Sequence, residues 1–246
     1  MPKFFVKNNQ IENNKINIIG EDVNHICNVL RMKKDEELTI CDSDTSKNYL
    51  SKIDEINKTE VICEIIKEID SKAESNVEVH IFQGLPKADK MELIIQKSVE
   101  LGVKEITPVE MKRSIVKLDG KDKVKKVDRW NKIAEVAAKQ SGRDIIPKIN
   151  KIINVNEMVE IFNQYDIVLV CYENEKEVML KEVLKKHKDI SNIKIAVVVG
   201  PEGGIDGTEI DKMNEHNAQT VSLGSRILRT ETVCLSILSI IMYEFE

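Results

Sequence analysis

The sequence predicts an α/β protein in which a small β-barrel precedes a domain with a mostly parallel sheet. Residues 1–70 consist mainly of short apolar or alternating segments separated by polar turns, with one helix among them. Beyond residue 78, strand-like and helix-like segments alternate, which is typical of a parallel sheet covered by helices. One of these strands, NIKIAVVVG, is rich in β-branched residues and is expected to be buried.

The first part of the chain is predicted to be a domain of residues 1–70. A short helix is predicted at EDVNHICNVLRM, because apolar residues recur at helical spacing from Val23 to Leu30. Its strand-like segments are KFFV, KINIIG, ELTICD, YLSKIDEI and EVICEIIKEI. Several short strands with one helix favour a small β-barrel.

A polar stretch, Glu68–Glu78, is the predicted linker, and the second domain is predicted to comprise residues 71–246. Its predicted strands are VEVHIFQG, EITPVEM, YDIVLVCYE, NIKIAVVVG and AQTVSLG. Its predicted helices are KMELIIQKSVELG, KVKKVDRWNKIAEVAAKQSGR, EVMLKEVLKKHK, GTEIDKMNEHN and ETVCLSILSIIMYEF. The last helix is apolar but too short to cross a bilayer, so we expect a buried helix.

Composition narrows the class of protein. Aromatic residues make up only 4% of the 246 residues, so we expect an aliphatic core. The five cysteines include no Cys-x-x-Cys pair, which indicates neither a disulfide framework nor a zinc site and favours a reducing cytoplasm. The N-terminus has no apolar signal core, and we expect no membrane association.

Charge is unevenly distributed along the chain. The net charge is −5, yet residues 111–151 contain 13 Lys and Arg against 5 Asp and Glu, a local charge of +8. A basic island on an acidic body is suited to binding a polyanion such as RNA. A lysine-rich, solvated surface is the alternative interpretation.

Two loops that follow strands contain the main candidate site residues. In VVVGPEGGID, Gly200, Pro201, Glu202, Gly203 and Gly204 follow a buried strand, and Asp206 with Glu209 forms a capping box for the next helix. Ligands bind at the carboxyl ends of strands in such sheets, and glycine allows a ligand to approach the backbone closely. The loop matches neither a phosphate loop nor the dinucleotide-binding pattern, so it indicates a small-molecule site or only a tight turn.

The second loop is LGSRILRTET, which also follows a strand and precedes a helix. Thr230 can serve as the N-cap of the final helix, and Glu231 suits the positive end of the helix dipole. The alternative for both residues is a role in the chemistry. Arg226 and Arg229 remain as groups that can bind a polyanion, pair with carboxylates or polarise a reacting group. We expect the two loops to lie side by side and form one pocket.

Further basic residues are candidate phosphate contacts. Arg31, Lys33 and Lys34 follow the N-terminal helix, whose His25 is either a packed residue or a ligand. In the second domain the candidates are Arg113, Arg129 and Arg143, and Trp130 either stacks on a base or belongs to the core. The sequence contains no His-Glu-x-x-His and no Gly-x-Ser-x-Gly, so a metal enzyme and a serine hydrolase are not indicated.

Six segments in this order resemble the bacterial 16S rRNA (uracil-N3)-methyltransferases of the SPOUT class. They are HICNVLR, GLPKADKMELIIQKSVELGV, MKRSIVK, RWNKIAEVAAKQSGR, VVVGPEGGID and LGSRILRTET, and the resemblance covers nearly the whole chain. It implies a PUA-like N-terminal RNA-binding barrel and a parallel-sheet α/β methyltransferase domain whose end forms a deep trefoil knot, an exception to the usual absence of knots.

The resemblance also implies a cofactor, a substrate and partners. S-adenosylmethionine is expected to be bound by three loops, which are the one near Leu169 and Tyr172, Gly200–Gly204, and Leu223–Arg229 with Gly224, Ile227 and Leu228. The implied substrate is a uridine of 16S rRNA in the small ribosomal subunit, methylated at N3 by a homodimer. No metal is implied.

The resemblance gives roles to charged residues as hypotheses. Arg229 or Arg226 is expected to stabilise the uracil anion, and Glu231 or Glu202 is expected to accept the N3 proton. Arg31, Lys33, Arg113, Arg129 and Arg143 are expected to bind rRNA. The alternatives are a ribose 2′-O-methyltransferase of the same architecture, a non-catalytic rRNA-binding assembly factor and a generic nucleotide-binding α/β protein.

Overall fold

The computed structural model describes residues 1–70 and 73–246, which form two compact units. The first unit contains Met1–Glu74 and Ala138–Ile146, and the second contains Ser75–Ala137 and Pro147–Glu246. The predicted linker, Glu68–Glu78, includes residues 71 and 72, which lie outside the described residues.

The first unit is built on a six-stranded curled sheet with the order β1-β4-β5-β6-β3-β2. All its strand pairs are antiparallel except β1 with β4. Its elements are β1 (Lys3–Val6), β2 (Ile11–Glu12), β3 (Lys15–Ile19), α1 (Glu21–Asn24), β4 (Glu37–Asp42), β5 (Asn48–Ile56) and β6 (Glu60–Ile69). Alternate residues of the strands are buried in an aliphatic core, which is the period-2 pattern that predicted them.

Every strand predicted for the first unit is confirmed, and β6 has the predicted limits. The short strand β2 and a 3-10 turn at Asn8–Gln10 were not predicted. The predicted helix is present but irregular, because α1 continues as a π-helical turn at His25–Val29.

A buried polar network joins strand β1 to the segment Ala138–Ile146 within the first unit. Lys3 Nζ lies 2.5 Å from Asp144 Oδ1, and the two side chains are only 9% and 7% exposed. Asn48 Nδ2 donates to the same carboxylate oxygen at 2.8 Å, and the Cys41 thiol donates to the Asp144 carbonyl at 3.1 Å. A buried charge of this kind is tolerated only when it is paired and hydrogen-bonded.

The second unit is an α/β domain with a seven-stranded, fully parallel sheet. The strand order is β10-β8-β7-β12-β11-β13, with β9 also pairing with β8. In chain order the elements are β7 (Glu78–Gly84), α2 (Lys90–Glu100), β8 (Glu105–Glu110), α3 (Gly120–Ser141), β9 (Lys148–Ile149), β10 (Ile153–Asn154), α4 (Val155–Val159), β11 (Ile167–Cys171), α5 (Leu180–Lys186), β12 (Lys194–Val199), α6 (Gly207–Glu215), β13 (Gln219–Val221) and α7 (Thr230–Phe245). Both the parallel sheet and its alternation with helices are confirmed.

The interior of the second unit is aliphatic, as the composition predicts. β12 is central in the sheet, and Val197 and Val198 are fully buried. Trp130 is 3% exposed and belongs to the core, so it is not a base-stacking residue. The elements β9, β10 and α4 were not predicted, although α4 has a capping box formed by Asn154 and Glu157.

Helix α6 begins as predicted. The Asp206 carboxylate accepts a hydrogen bond from the Thr208 amide, and Glu209 completes the capping box. None of the helices in residues 1–70 and 73–246 is long and apolar enough to span a membrane.

The buried His80 in the second unit makes the free energy of unfolding depend on pH. His80 contacts the Tyr165 hydroxyl through Nδ1 and lies 2.7 Å from Thr107 Oγ1 through Nε2. Burial lowers the pKa of His80 from 6.5 to about 4, against the opposing effect of Glu105. The neutral ring therefore stabilises the fold fully above pH 6.5, and this contribution is lost as the pH falls from 6.5 through about 4.

We expect the free energy of unfolding to decrease by about 3 kcal/mol more in the wild type than in a His80→Gln variant between pH 7 and pH 4. Urea unfolding at both pH values measures the difference, and the common titration of carboxylates cancels in the comparison. Equal decreases in the two proteins contradict the assignment.

Candidate active site

A cavity of about 550 Å³ lies within the second unit at the carboxyl ends of β11, β12 and β13. Ligand sites in parallel sheets lie at this edge. The sequence predicted a pocket here, formed by the two loops that follow β12 and β13. The lining combines backbone of glycine-rich loops with aliphatic and charged side chains. The residues are Lys90, Cys171, Tyr172, Glu173, Val199, Gly200, Pro201, Glu202, Gly203, Gly204, Val221, Ser222, Leu223, Gly224, Ser225, Arg226, Ile227, Leu228, Arg229, Thr230 and Val233.

Glycines give the loop after β12 its shape. Gly204 has φ +72°, and a Cβ there would collide with the carboxylate of Glu173. Gly84, the last residue of β7, lies so close to Pro201 that a Cβ would be 2.6 Å from its Cδ atom. A larger residue at Gly84 therefore requires the backbone at Pro201 to move. At Gly204 it meets the strain of the positive φ and displaces the Glu173 carboxylate.

Thr230 connects the two loops that line the cavity. Its hydroxyl donates to the Gly200 carbonyl at 2.7 Å and accepts from Gln83 Nε2 at 2.9 Å. Of the two roles left open for Thr230, the N-cap of α7 is excluded, because Arg229 occupies that position and makes no side-chain capping bond. The buried Gln83–Thr230–Gly200 chain instead fixes the start of α7 against the end of β12.

Two carboxylates share one lysine beside the cavity. Lys90 Nζ lies 3.0 Å from Glu202 Oε1 and 3.4 Å from Glu231 Oε2. Burial alone raises the pKa of Glu202, but hydrogen bonds from its own amide, from Lys90 and from the Lys87 amide outweigh that effect and lower it. Glu202 lines the cavity, whereas Glu231 does not.

The two arginines of the loop after β13 are exposed at the cavity. Within residues 1–70 and 73–246, the guanidinium groups of Arg226 and Arg229 have no hydrogen-bond or ion-pair partner. Ile227 lies between them in sequence and is 89% exposed. These three side chains are therefore available to a ligand.

The structure brings together nearly all residues predicted for the cofactor. Tyr172, Gly200–Gly204 and Leu223–Arg229 line one cavity. Leu169 is the exception, because it is fully buried within β11 and does not reach the cavity.

The predicted RNA contacts differ in their surroundings. Arg31 and Lys33 are exposed on the first unit, where Arg31 has φ +55°. Arg113 is half exposed and pairs with Asp206 through Nη2 at 3.6 Å. Its Nη1 donates to the Gly203 carbonyl beside the cavity at 3.2 Å. Arg129 is exposed but pairs with Glu92 at 2.8 Å.

Arg143 is a correction. Its side chain is only 4% exposed and pairs with Glu74 through Nη2 at 2.6 Å and through Nε at 2.8 Å. A guanidinium buried in a bidentate ion pair cannot reach an RNA phosphate, so Arg143 has a structural role in the first unit.

Sequence reasoning missed several residues of this site. Lys90 and Gln83 contact the loops but lie more than 100 residues away from them along the chain, so no local pattern identifies them. On the surface, Lys117, Lys121 and Lys125 are exposed and have no ion-pair partner within residues 1–70 and 73–246. The sequence feature that could have identified these lysines is their position in the basic island, residues 111–151.

Comparison with known proteins identifies the family. A model of the RNA methyltransferase domain matches residues 73–242, and a model of the RNA methyltransferase PUA domain matches residues 18–66. The ribosomal RNA small subunit methyltransferase E of Bacillus subtilis is 35% identical over 253 aligned positions, which cover 100% of this chain and 98% of the relative.

The chain belongs to the ribosomal RNA small subunit methyltransferase E family.

Solved structures of relatives agree with this family. A ribosomal RNA small subunit methyltransferase E from Neisseria gonorrhoeae, bound to S-adenosyl methionine, has a TM-score of 0.86 and 30% identity, covering 99% of this chain and 97% of that one. A putative methyltransferase from Legionella pneumophila, in complex with the bound cofactor SAM, also has a TM-score of 0.86, at 28% identity and with coverage of 98% and 96%. The similarity to these two structures therefore extends over both units of the chain.

Proposed function

We propose that this chain is an S-adenosylmethionine-dependent methyltransferase that methylates N3 of a uridine in 16S rRNA of the small ribosomal subunit. The observation that carries the proposal is the cavity at the strand ends, where the glycine-rich loop after β12 meets the loop after β13. Two arginines there have no partner among the described residues. The names of the relatives and the cofactor-bound relatives support it.

The cavity fits the cofactor in size and chemistry. Its volume of about 550 Å³ is typical of small-molecule sites. Aliphatic residues such as Leu223, Ile227 and Val233 suit an adenine ring, and loop backbone groups can bind its polar edge. The carboxylates of Glu173 and Glu202 suit a positively charged sulfonium. Within residues 1–70 and 73–246, no cluster of His, Cys, Asp or Glu is arranged to hold a metal ion.

The reaction requires the protein to position a uracil and accept a proton. When bound, S-adenosylmethionine supplies a methyl group on a sulfonium, whose carbon–sulfur bond breaks with its electron pair as N3 forms its bond to carbon. N3 loses its proton, and we assign the acceptor role to Glu202, because this carboxylate lines the cavity. Arg229 and Arg226 stabilise the negative charge that develops on O2 and O4.

Glu231, the other residue that the sequence analysis named as a possible acceptor of the N3 proton, is assigned a different role. It lies outside the cavity lining and contacts Lys90, so it acts through the lysine rather than on the uracil.

Arg31 and Lys33 of the first unit are proposed to contact RNA. In the second unit, Arg113 and the exposed lysines of the basic island are proposed RNA contacts. Unpaired cations can exchange their solution counterions for RNA phosphates, whereas cations in ion pairs are already neutralised. Arg113, which pairs with Asp206, and Arg129, which pairs with Glu92, are therefore expected to contribute less.

We expect a Lys121→Ala, Lys125→Ala double variant to bind 16S rRNA more weakly and to reduce the slope of log Kd against log salt by about 1.5. The matched control is Lys123→Ala on the same helix, because Lys123 pairs with Glu110 at 2.7 Å. Filter binding at several salt concentrations measures both slopes. An equal change in the double variant and the control contradicts the assignment of this surface.

We also propose that the C-terminal segment forms the trefoil knot of the SPOUT class. β13 lies at the edge of the sheet beside β11, whereas α7, which follows it, packs against α2 and β12. The chain after β13 therefore returns to the middle of the sheet beside Gly200, where Thr230 is hydrogen-bonded. This path supports a knot in which the chain leading to α7 is threaded through the loop after β12.

The protein is proposed to act in the cytoplasm, where its five cysteines stay reduced.

We also propose that two copies of the chain form a homodimer through helices α2 and α7. The two helices pack together and leave Leu93, Ile240 and Tyr243 exposed, the last at 88%. Apolar side chains that stay exposed on two packed helices are suited to an interface. Sedimentation equilibrium at micromolar concentration is expected to give the mass of two chains, and the mass of one chain contradicts the dimer.

Two measurements test the function. Calorimetry is expected to show S-adenosylmethionine binding, and small subunits from a strain that lacks the gene are expected to accept one labelled methyl group. Absence of cofactor binding favours the assembly-factor alternative and overturns the proposal. Comparing assembled subunits with naked 16S rRNA in the same assay identifies the form of the substrate.

A further inference from the structure

Lys90 connects three separate parts of the second unit at the cavity. It is the first residue of α2, and its ammonium contacts Glu202 in the loop after β12 at 3.0 Å and Glu231 in the first turn of α7 at 3.4 Å. One lysine therefore balances two carboxylates that come from different elements.

The two carboxylates are held to different degrees. Glu202 also accepts hydrogen bonds from the Lys87 amide, at 3.1 Å and 3.3 Å, so its position on the cavity wall is fixed from two sides. Glu231 Oε2 is buried and has no hydrogen-bond partner within the described part of the chain, which leaves Lys90 as its compensating charge. Without the ammonium, the buried Glu231 Oε2 has no compensating charge. Glu202 is then held by the Lys87 amide and by its own backbone amide.

The charges around Lys90 are consistent with a role in setting the ionisation of Glu202. The other ionisable residues that line the same cavity are Cys171, Tyr172, Glu173, Arg226 and Arg229. None of these described residues forms an ion pair with Lys90. The carboxylates in turn raise the pKa of Lys90, chiefly through its hydrogen bond to Glu202. The lysine therefore stays charged across the range in which a carboxylate titrates.

We propose that Lys90 is a positioning residue for the methyl transfer, which holds the Glu202 carboxylate ionised and fixed on the cavity wall and joins it to the start of α7 through Glu231. The inference rests on the proposed function, because Glu202 is the proton acceptor only in that reaction. The proposed role of Lys90 is exercised through these two carboxylates. Its effect is expected at low pH, where a carboxylate that has lost its cation becomes protonated first.

The test compares Lys90→Met and Lys90→Arg with the wild type. Relative to the wild type, Lys90→Met is expected to lose about five-fold more activity at the acid end of the pH profile than at pH 8, because more Glu202 is protonated there. Lys90→Arg restores the charge and is expected to restore the profile. The matched control is Lys97→Met on the same helix, because Lys97 pairs with Glu100 away from the cavity.

A second readout uses the protein without cofactor or RNA. The carboxyl ¹³C resonance of Glu202, assigned by its loss in Glu202→Gln, is expected to titrate at higher pH in Lys90→Met than in the wild type and in Lys97→Met. An unchanged titration in Lys90→Met, or a pH profile that Lys90→Arg does not restore, overturns the role of Lys90. If the titration shifts but the wild type transfers no methyl group to rRNA, the proposed function fails and the role of Lys90 in that reaction fails with it.

Discussion

Replacing Glu202 with glutamine is expected to slow methyl transfer about 100-fold at saturating S-adenosylmethionine, because a proton acceptor in the transition state contributes at least this factor. Glutamine keeps the size of the side chain but cannot accept the N3 proton. The Lys87 amide can still donate to the amide oxygen, so the loop is expected to keep its position. Single-turnover rates with small subunits measure the chemical step, and calorimetry of cofactor binding shows whether the cavity is intact.

Glu231→Gln is the matched control for this prediction. Both carboxylates contact Lys90, but only Glu202 lines the cavity. We expect Glu231→Gln to slow the same step less than about five-fold. A larger loss in Glu231→Gln than in Glu202→Gln reverses the assignment of the proton acceptor.

The second large effect is expected in the first unit, where Lys3→Met should lower the free energy of unfolding by about 3 kcal/mol. The substitution removes the ammonium that lies 2.5 Å from the buried Asp144 carboxylate and leaves this charge with the Asn48 amide as a partner. Hydrogen exchange of amides in β1 and β4 measures the stability of this unit directly.

A second lysine near the same strand provides the control. Lys7 pairs with Asp44 at 3.5 Å, but the two side chains are 68% and 44% exposed. Lys7→Met is therefore expected to change the stability by less than about 0.5 kcal/mol. Combining Lys3→Met with Asp144→Leu removes both buried charges and is expected to recover part of the loss. Equal effects of Lys3→Met and Lys7→Met contradict the role of the buried pair.

Regular elements could be predicted because their local patterns are strong. The alternation in EVICEIIKEI predicted β6 at Glu60–Ile69, and the β-branched run NIKIAVVVG predicted the central strand β12. The two-residue strands β9 and β10 were missed, because two residues show no periodicity.

The candidate cavity could be predicted because its walls are loops that follow strands. Individual side chains were harder to place, since their environment depends on distant partners. Arg143 is buried because Glu74, 69 residues earlier, pairs with it. Thr230 bonds to Gly200 rather than capping its own helix, and the sequence around Thr230 contains no sign of that contact.

The most direct test of the function is the position of the methyl group. Small subunits methylated by the wild-type protein are digested to nucleosides and compared with synthetic standards by liquid chromatography and mass spectrometry. We predict 3-methyluridine, at one per 16S rRNA and absent from reactions without the protein. A 2′-O-methylated nucleoside, a different methylated base or no new methylated nucleoside contradicts the account.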